Sequence, residues 1–331
     1  MQTETKHSME QKHSMEQKHS MEQKNSMEQK NSMEQKNSME QNTMAAFPER
    51  VKNQAPLIHN ITNYVTVNDC ANILLACGGS PIMADDLQEA EEITSLCAGL
   101  NINIGTLNQR TIPAMLAAGK KANACGHPVL LDPVGAGASR LRTETAEKLL
   151  KEVRFTAIRG NISEIKALAL GMGTTRGVDA DGMDAVTDDT LDAAAAFTGA
   201  FARKTGAVGA VTGAVDMVTD GSDMYVIRNG HPMMRKVTGT GCMLSAMITA
   251  YLAANPGCPL DAVAAAVCAM GICGERAFSR LTPEEGNAAY RNHIIDAVYH
   301  MDGKTLEKGA EFRKYRLEAD GTMALSKGEQ P

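Results

Sequence analysis

Val237-Thr238-Gly239-Thr240-Gly241-Cys242-Met243-Leu244 gathers two glycines, a hydroxyl and a thiol at the start of an apolar, Ala-rich segment. That segment runs to Asn255 and stops at Pro256-Gly257. Glycine lets the backbone turn tightly and come close to a ligand. At a helix start the amide N–H groups are unpaired and sit at the positive end of the dipole, which suits an anion and above all a phosphate. Gly239, Thr240, Gly241 and Cys242 therefore form a candidate anion hole. Cys242, in the first helical turn where the field favours a thiolate, is the candidate catalytic group. The same residues also fit a plain strand-to-helix turn around a buried cysteine.

Other chemistry-bearing residues sit where apolar runs end. Asp132 closes Val129-Leu-Leu-Asp132 and precedes a Gly-rich loop. A carboxylate there can hold Mg²⁺, or simply cap the loop's N–H groups. Arg159-Gly-Asn161-Ile-Ser-Glu164 follows the next run. Asn161 and Glu164 have the spacing of a capping box, while Arg159 suits a phosphate and Glu164 a place near Mg²⁺; both readings can hold together. Thr212-Gly213 ends a further run and could line a nucleotide pocket. His59-Asn-Ile-Thr-Asn63 and Ser80-Pro-Ile-Met83 read as turns, with His59 a satisfied turn histidine and Met83 a core residue. Neither a Walker A loop nor a G-x-G-x-x-G fingerprint occurs, which argues against P-loop NTPases and dinucleotide binding.

The elements that position these residues alternate. Leu100–Gly105, Val129–Asp132, Phe155–Ile158 and Val208–Thr212 read as strands. Thr111–Gly126, Thr143–Val153, a segment from Ser163, and Asp188–Lys204 read as helices. This rhythm predicts an α/β fold: a mostly parallel central sheet with helices on both faces, in three layers. Short runs at 217–219, 225–227 and 233–237, joined at Asp220-Gly221 and Asn229-Gly230, predict hairpins and a small antiparallel edge. Ligands of such sheets bind at the carboxyl ends of the strands, where Gly105, Asp132, Arg159, Thr212 and Gly239 fall.

The 331 residues divide unevenly. Residues 6–41 are six copies of Lys-His/Asn-Ser-Met-Glu-Gln. On a helix the Met positions step by about 240°, so no stripe forms, and each repeat buries too little to offset the entropy of ordering. Residues 1–43 are expected to be a disordered extension, 44–317 the folded domain and 318–331 a flexible tail. A net charge of −6 gives no reason to expect nucleic-acid binding. No apolar run reads as a membrane span and no signal peptide opens the chain. Eight scattered cysteines without a C-x-x-C pair point to a reducing cytoplasm rather than a disulfide framework.

Taken in order, Pro56–Asn63, Gly78–Ala84, Asn103–Leu107, Leu131–Gly137, Arg159–Asn161 and Val237–Cys242 resemble the hydroxyethylthiazole kinase family of the ribokinase-like superfamily. The resemblance spans about Pro48 to Leu317. It implies ATP-dependent phosphorylation of the hydroxyl of 4-methyl-5-(2-hydroxyethyl)thiazole in thiamine salvage, with Mg²⁺ and in a homotrimer whose active sites lie between subunits. By the same resemblance Met83 and Gly239 line the thiazole pocket, which Asn63 approaches from the neighbouring subunit. Arg159 and Thr212 contact ATP, Asp132 and Glu164 surround Mg²⁺, and Cys242 stands where sugar kinases carry an Asp base. Thr240 departs from the Ala expected between the glycines, and its hydroxyl could trim the pocket. The rivals are a hydroxymethylpyrimidine or sugar kinase, an NAD(P)H-hydrate dehydratase of the same fold, and a non-catalytic nucleotide-binding or thiol-sensing module.

Overall fold

A computed structural model describes residues 43–171, 186–318 and 321–326. The hexapeptide array lies outside these residues. The described part holds ten strands in one sheet, ordered β10-β9-β8-β7-β6-β5-β4-β3-β1-β2. The strands β1 (Leu57–Ile61), β2 (Ser80–Met83), β3 (Gly99–Asn103), β4 (Val129–Asp132), β5 (Ala157–Gly160) and β6 (Val208–Val211) are mutually parallel. Beyond them β7 (Asp216–Thr219), β8 (Asp223–Ile227), β9 (Phe312–Leu317) and β10 (Met323–Leu325) run antiparallel. The mostly parallel sheet and the antiparallel edge are as the rhythm of the sequence predicts.

Side chains alternate along the strands, and each face meets its own layer. On one face Ile58, Leu130, Ala157 and Ala210 pack with α1 (Ala46–Gln54), α2 (Val67–Cys77), α8 (Thr240–Ala254), α9 (Pro259–Ser279) and α10 (Asn287–Tyr299). On the other, Ile102, Leu131, Ile158 and Val211 pack with α4 (Thr111–Cys125), α5 (Arg140–Glu152), α6 (Ile162–Gly171) and α7 (Leu191–Thr205). Short helices α3 (Ala90–Leu96) and α11 (Gly303–Gly309) are the remaining α-helices among the described residues. Helix α8 is buried on nearly every side, which is why its sequence is apolar all round.

Several sequence expectations need correction. Leu57–Ile61 and Ser80–Met83 are strands, not turns. Pro81 is tolerated because β2 lies at the sheet edge, where a missing N–H costs little. Asn229-Gly230 does not turn a hairpin: Pro232–Lys236 forms a 3₁₀ helix, opened by proline and capped by His231 Nδ1 accepting from Met233 N at 3.2 Å. Helix α9 is long and apolar enough to cross a membrane by length and composition, although no such run was expected. In the fold 78% of that window is buried, as suits a core helix. Within the expected tail, Met323–Leu325 pairs with Tyr315–Leu317.

The order β2-β1-β3 reverses direction between β1 and β3, and the crevice of a parallel sheet opens at such a switch point. Asn63 follows β1 there, and Asn103 ends β3 beside it. Asp132, Arg159 and Thr212 then follow in sequence along the carboxyl edges of β4, β5 and β6.

Candidate active site

The turn into α8 has the form the glycines require. Gly239 caps the helix with φ 89°, a left-handed conformation that a side chain resists, and a Cβ there would meet Thr66 Cγ2 at 2.4 Å. Gly241 serves close approach: a Cβ on it would fall 2.4–2.9 Å from the Arg159 guanidinium. The cationic group of β5 thus lies over the amides that open a 15-residue helix. Both features favour the same anion.

Arg159 is held at this place from two sides. Its Nη2 donates to Thr212 Oγ1 at 2.6 Å, and its Nη1 faces Asp132 Oδ1 at 3.8 Å. Arg159, Thr212, Thr240 and Gly241 line one cavity of about 560 Å³ between the ends of β5 and β6, the 3₁₀ helix and α9. The Thr240 hydroxyl leans toward Met234 O at 3.5 Å on the wall of that cavity.

Beside the cavity lies a closed polar network. Asp132 is fully buried. Its Oδ2 accepts from Asn103 Nδ2 and from Ser245 Oγ, both at 2.8 Å. Asn103 Nδ2 also reaches Cys242 Sγ at 3.3 Å, and Asn63 Nδ2 reaches the same sulfur at 3.2 Å. Asp132 Oδ1 has no hydrogen-bond partner. Burial pushes the Asp132 carboxyl up to about 6, with nearby Glu164 adding to the rise, while Arg159, Ser245 and Asn103 oppose it.

Cys242 is where the sequence placed it, but its chemistry differs from the expectation. Burial raises the thiol above its ordinary value first, and the Asp132 charge raises it further. Thr66, Asn63 and Arg159 oppose both effects. Desolvation of the anion outweighs the helix-start field, so a neutral thiol is the resting form. Asn63 is itself buried and meets Cys242 within one chain.

Glu164 fills the capping role and more. Its Oε2 accepts from Asn161 N at 2.9 Å, Glu164 N donates back to Asn161 Oδ1 at 2.9 Å, and Oε1 accepts from Gly135 N at 2.8 Å. The carboxylate therefore ties the loop after β4 to the start of α6. Met83, at the end of β2, is half-buried and packs on the same apolar cluster as Cys242. His59 is structural: its ring nitrogens pair with Thr94 Oγ1 and Ala84 O at 2.8 and 2.7 Å.

The sequence reading missed Asn103 and Ser245 as members of the site, and Arg142 beside it. Arg142 Nη2 donates to Gly105 O at 2.6 Å and holds the β3 and β4 loops together. A signal for Asn103 was present. Asn101 and Asn103 alternate inside an apolar strand, and a buried amide on a core face requires partners.

The hydroxyethylthiazole kinase family pattern matches residues 49–304. A hydroxyethylthiazole kinase of Clostridium acetobutylicum is 64% identical over 267 residues, covering 81% of this chain and 98% of that protein. One from Desulfovibrio desulfuricans is 46% identical over 277 residues, covering 81% and 97%. The solved structure of the hydroxyethylthiazole kinase protein from Pyrococcus horikoshii OT3 superposes with a TM-score of 0.72 at 35% identity, covering 82% of this chain and 98% of that one.

Proposed function

The chain belongs to the hydroxyethylthiazole kinase family, and from that premise we propose how its site moves a phosphoryl group. The reaction is ATP-dependent phosphorylation of the hydroxyl of 4-methyl-5-(2-hydroxyethyl)thiazole. The alcohol oxygen bonds to the γ-phosphorus, the bond to the β-phosphate oxygen breaks, ADP leaves, and the hydroxyl proton is released. The observation that carries the reading is the Arg159 guanidinium lying against Gly241, both lining the 560 Å³ cavity. There a fixed cation and helix-start amides surround one anion. Phosphoryl transfer depends on such positioning and charge stabilisation more than on covalent chemistry.

In this reading ATP occupies the cavity, with Arg159 and Thr212 on its phosphates, and the amides of Gly239, Thr240, Gly241 and Cys242 receive the transferring group. The thiazole sits against Met83 and Gly239. Cys242 meets the alcohol and aligns it in line with the γ-phosphorus. A thiol held neutral by burial is a weak base, and a loose transition state asks for proton removal only late.

Asp132 and Glu164 fit Mg²⁺ in number and chemistry. Asp132 Oδ1 is a buried carboxylate oxygen without a donor. Among the described residues no cluster of three or more His, Cys, Asp or Glu side chains could hold a metal by itself. That suits an ion bound through one or two carboxylates, with phosphate oxygens and water completing its shell. Bound there, Mg²⁺ would neutralise charge on the β- and γ-phosphates.

The active species in this reading is a homotrimer in a reducing cytoplasm. All eight cysteines are free. Tyr64 and Val65, next to Asn63, are 78% and 57% exposed, an apolar pair suited to burial by another copy beside the site.

The decisive experiment is ADP release with Mg-ATP and, separately, the thiazole alcohol, hydroxymethylpyrimidine and ribose. The thiazole alcohol is expected to give the highest kcat/KM by at least about a hundredfold, a difference of about 2.7 kcal/mol. Equal or greater turnover of either alternative would overturn the assignment.

A further inference from the structure

The hydrogen bonds around Asn63 and Asn103 admit one orientation of each amide. Asn103 Oδ1 accepts from Gly105 N at 2.9 Å and from Asn63 Nδ2 at 3.0 Å. Asn63 Oδ1 accepts from Thr66 N at 3.1 Å and Thr66 Oγ1 at 3.0 Å. A backbone N–H can only donate, so Gly105 and Thr66 each fix the oxygen of the amide facing them. Both NH₂ groups are thereby forced toward Cys242. All four hydrogen-bonding positions on each amide are used: the second N–H of Asn63 goes to Asn103, and the second N–H of Asn103 goes to Asp132 Oδ2 at 2.8 Å.

Two functional positions are left uncommitted to the amides. One is Asp132 Oδ1, because Oδ2 is filled by Asn103 and Ser245. The other is the Cys242 S–H, because the sulfur already accepts two N–H bonds from the sheet side.

We propose that Asn103 is a positioning residue for phosphoryl transfer: with Asn63 it holds the Cys242 sulfur as a hydrogen-bond acceptor, so that the thiol's remaining direction faces the alcohol. Its other N–H locks Asp132 in the rotamer that turns Oδ1, which has no hydrogen bond, toward Arg159. Asn103 bonds both Cys242 and Asp132, so it couples the group at the acceptor alcohol to the carboxylate at the phosphates. The inference rests on the reading above, in which Cys242 meets the alcohol.

A double-mutant cycle tests it on the full-length protein, with kcat and both KM values measured for Asn103→Leu, Cys242→Ala and the pair. Asn103→Leu is expected to lower kcat about ten- to a hundredfold, with the KM for ATP within about threefold. In the Cys242→Ala background the same change should cost at least about threefold less than in the wild type, because Asn103 then has no sulfur to position and only its bond to Asp132 remains. Equal losses in both backgrounds, or a raised KM for ATP at unchanged kcat, would overturn the proposal. Asn103→Ala guards against a folding failure at leucine, since it adds no bulk or charge beside Asp132 and donates nothing. It should lose kcat as leucine does, and full activity would overturn the idea. Failure of the underlying reading looks different: Cys242→Ala alone would then keep wild-type turnover.

Discussion

At the scale of single residues the site is governed by burial. Cys242 sits at a helix start, yet removal from water and the Asp132 charge hold its thiol above the ordinary range. Alkylation by iodoacetamide near pH 7.5 should therefore be at least about tenfold slower at Cys242 than at exposed Cys125, when read peptide by peptide. Replacing Asp132 by Asn removes the repelling charge and should speed the reaction at Cys242. Faster reaction at Cys242 than at Cys125 in the wild type would contradict the neutral thiol. Asp132 itself carries a pH signature. Burial raises its carboxyl in the folded protein to about 6, above the ordinary carboxylate value of 3.8. The native state therefore binds the proton more tightly. The stability contributed is full below the unfolded value and is lost as pH rises through the folded one. In metal-free protein the melting temperature should fall between about pH 4 and pH 6.5 relative to Asp132→Asn, in which this component vanishes. Parallel curves for the two proteins would mean that Asp132 is not destabilised as an anion. Gly241→Ala tests the approach of Arg159. The new methyl group would displace a guanidinium at the end of a flexible side chain, so the fold should persist. Turnover should fall about ten- to a hundredfold as the cation leaves the cradle.

At the scale of elements, Glu164 has a capping duty and a proposed duty toward Mg²⁺, which a substitution can separate. Its carboxylate joins Asn161 N at the start of α6 to Gly135 N in the loop after β4. Glu164→Gln keeps the side-chain length but can accept at only one of the two positions, and should cost about 1 kcal/mol in urea unfolding. If Glu164 also serves Mg²⁺, the same change should raise the Mg²⁺ concentration needed for half-maximal turnover. Lost stability with unchanged Mg²⁺ dependence would leave it a cap alone. The capping role was legible in the sequence, because a capping box is a local pattern. Strands β4 and β6 were legible for the same reason, being short apolar runs between breakers. Strand β1 was not. His59 and Asn60 look like turn residues until Thr94, Ala84 and Asn101 satisfy them from elsewhere in the chain. The Met233–Val237 run reads as strand by composition, but Pro232 and the His231 side chain turn it into a 3₁₀ helix. For the site, the sequence pointed to Cys242, Asp132 and Arg159 because each stands at the end of a run or in a glycine turn. Asn103 and Ser245 lie inside apolar segments. Their role arises only when the sheet places β3 beside β4 and α8 across them.

At the scale of the whole molecule, the question is where the folded unit starts. Helix α1 is stitched to distant segments: Arg50 Nη1 donates to Asn255 Oδ1 at 2.9 Å, and Gly303 N donates to Glu49 Oε1 at 2.9 Å. Phe47 and Val51 are fully buried in the cluster that contains α8, and Met44 packs against that cluster. The hexapeptide array before it offers one apolar residue per six, too little to build a comparable face. A chain beginning at Met44 should therefore melt within about 2 °C of the full-length protein and keep its kcat, since loss of surface segments moves stability by about 0.5 kcal/mol or less. A chain beginning at Pro56 should behave very differently. It loses two fully buried apolar side chains as well as the ties to Asn255 and Gly303, a cost of several kcal/mol by the usual scale for large-to-small core changes. Thermal melts and turnover of the three lengths, compared at one concentration, decide the matter. A large loss on starting at Met44 would show that the repeats pack on the domain. An unimpaired chain from Pro56 would show that α1 is dispensable to the core.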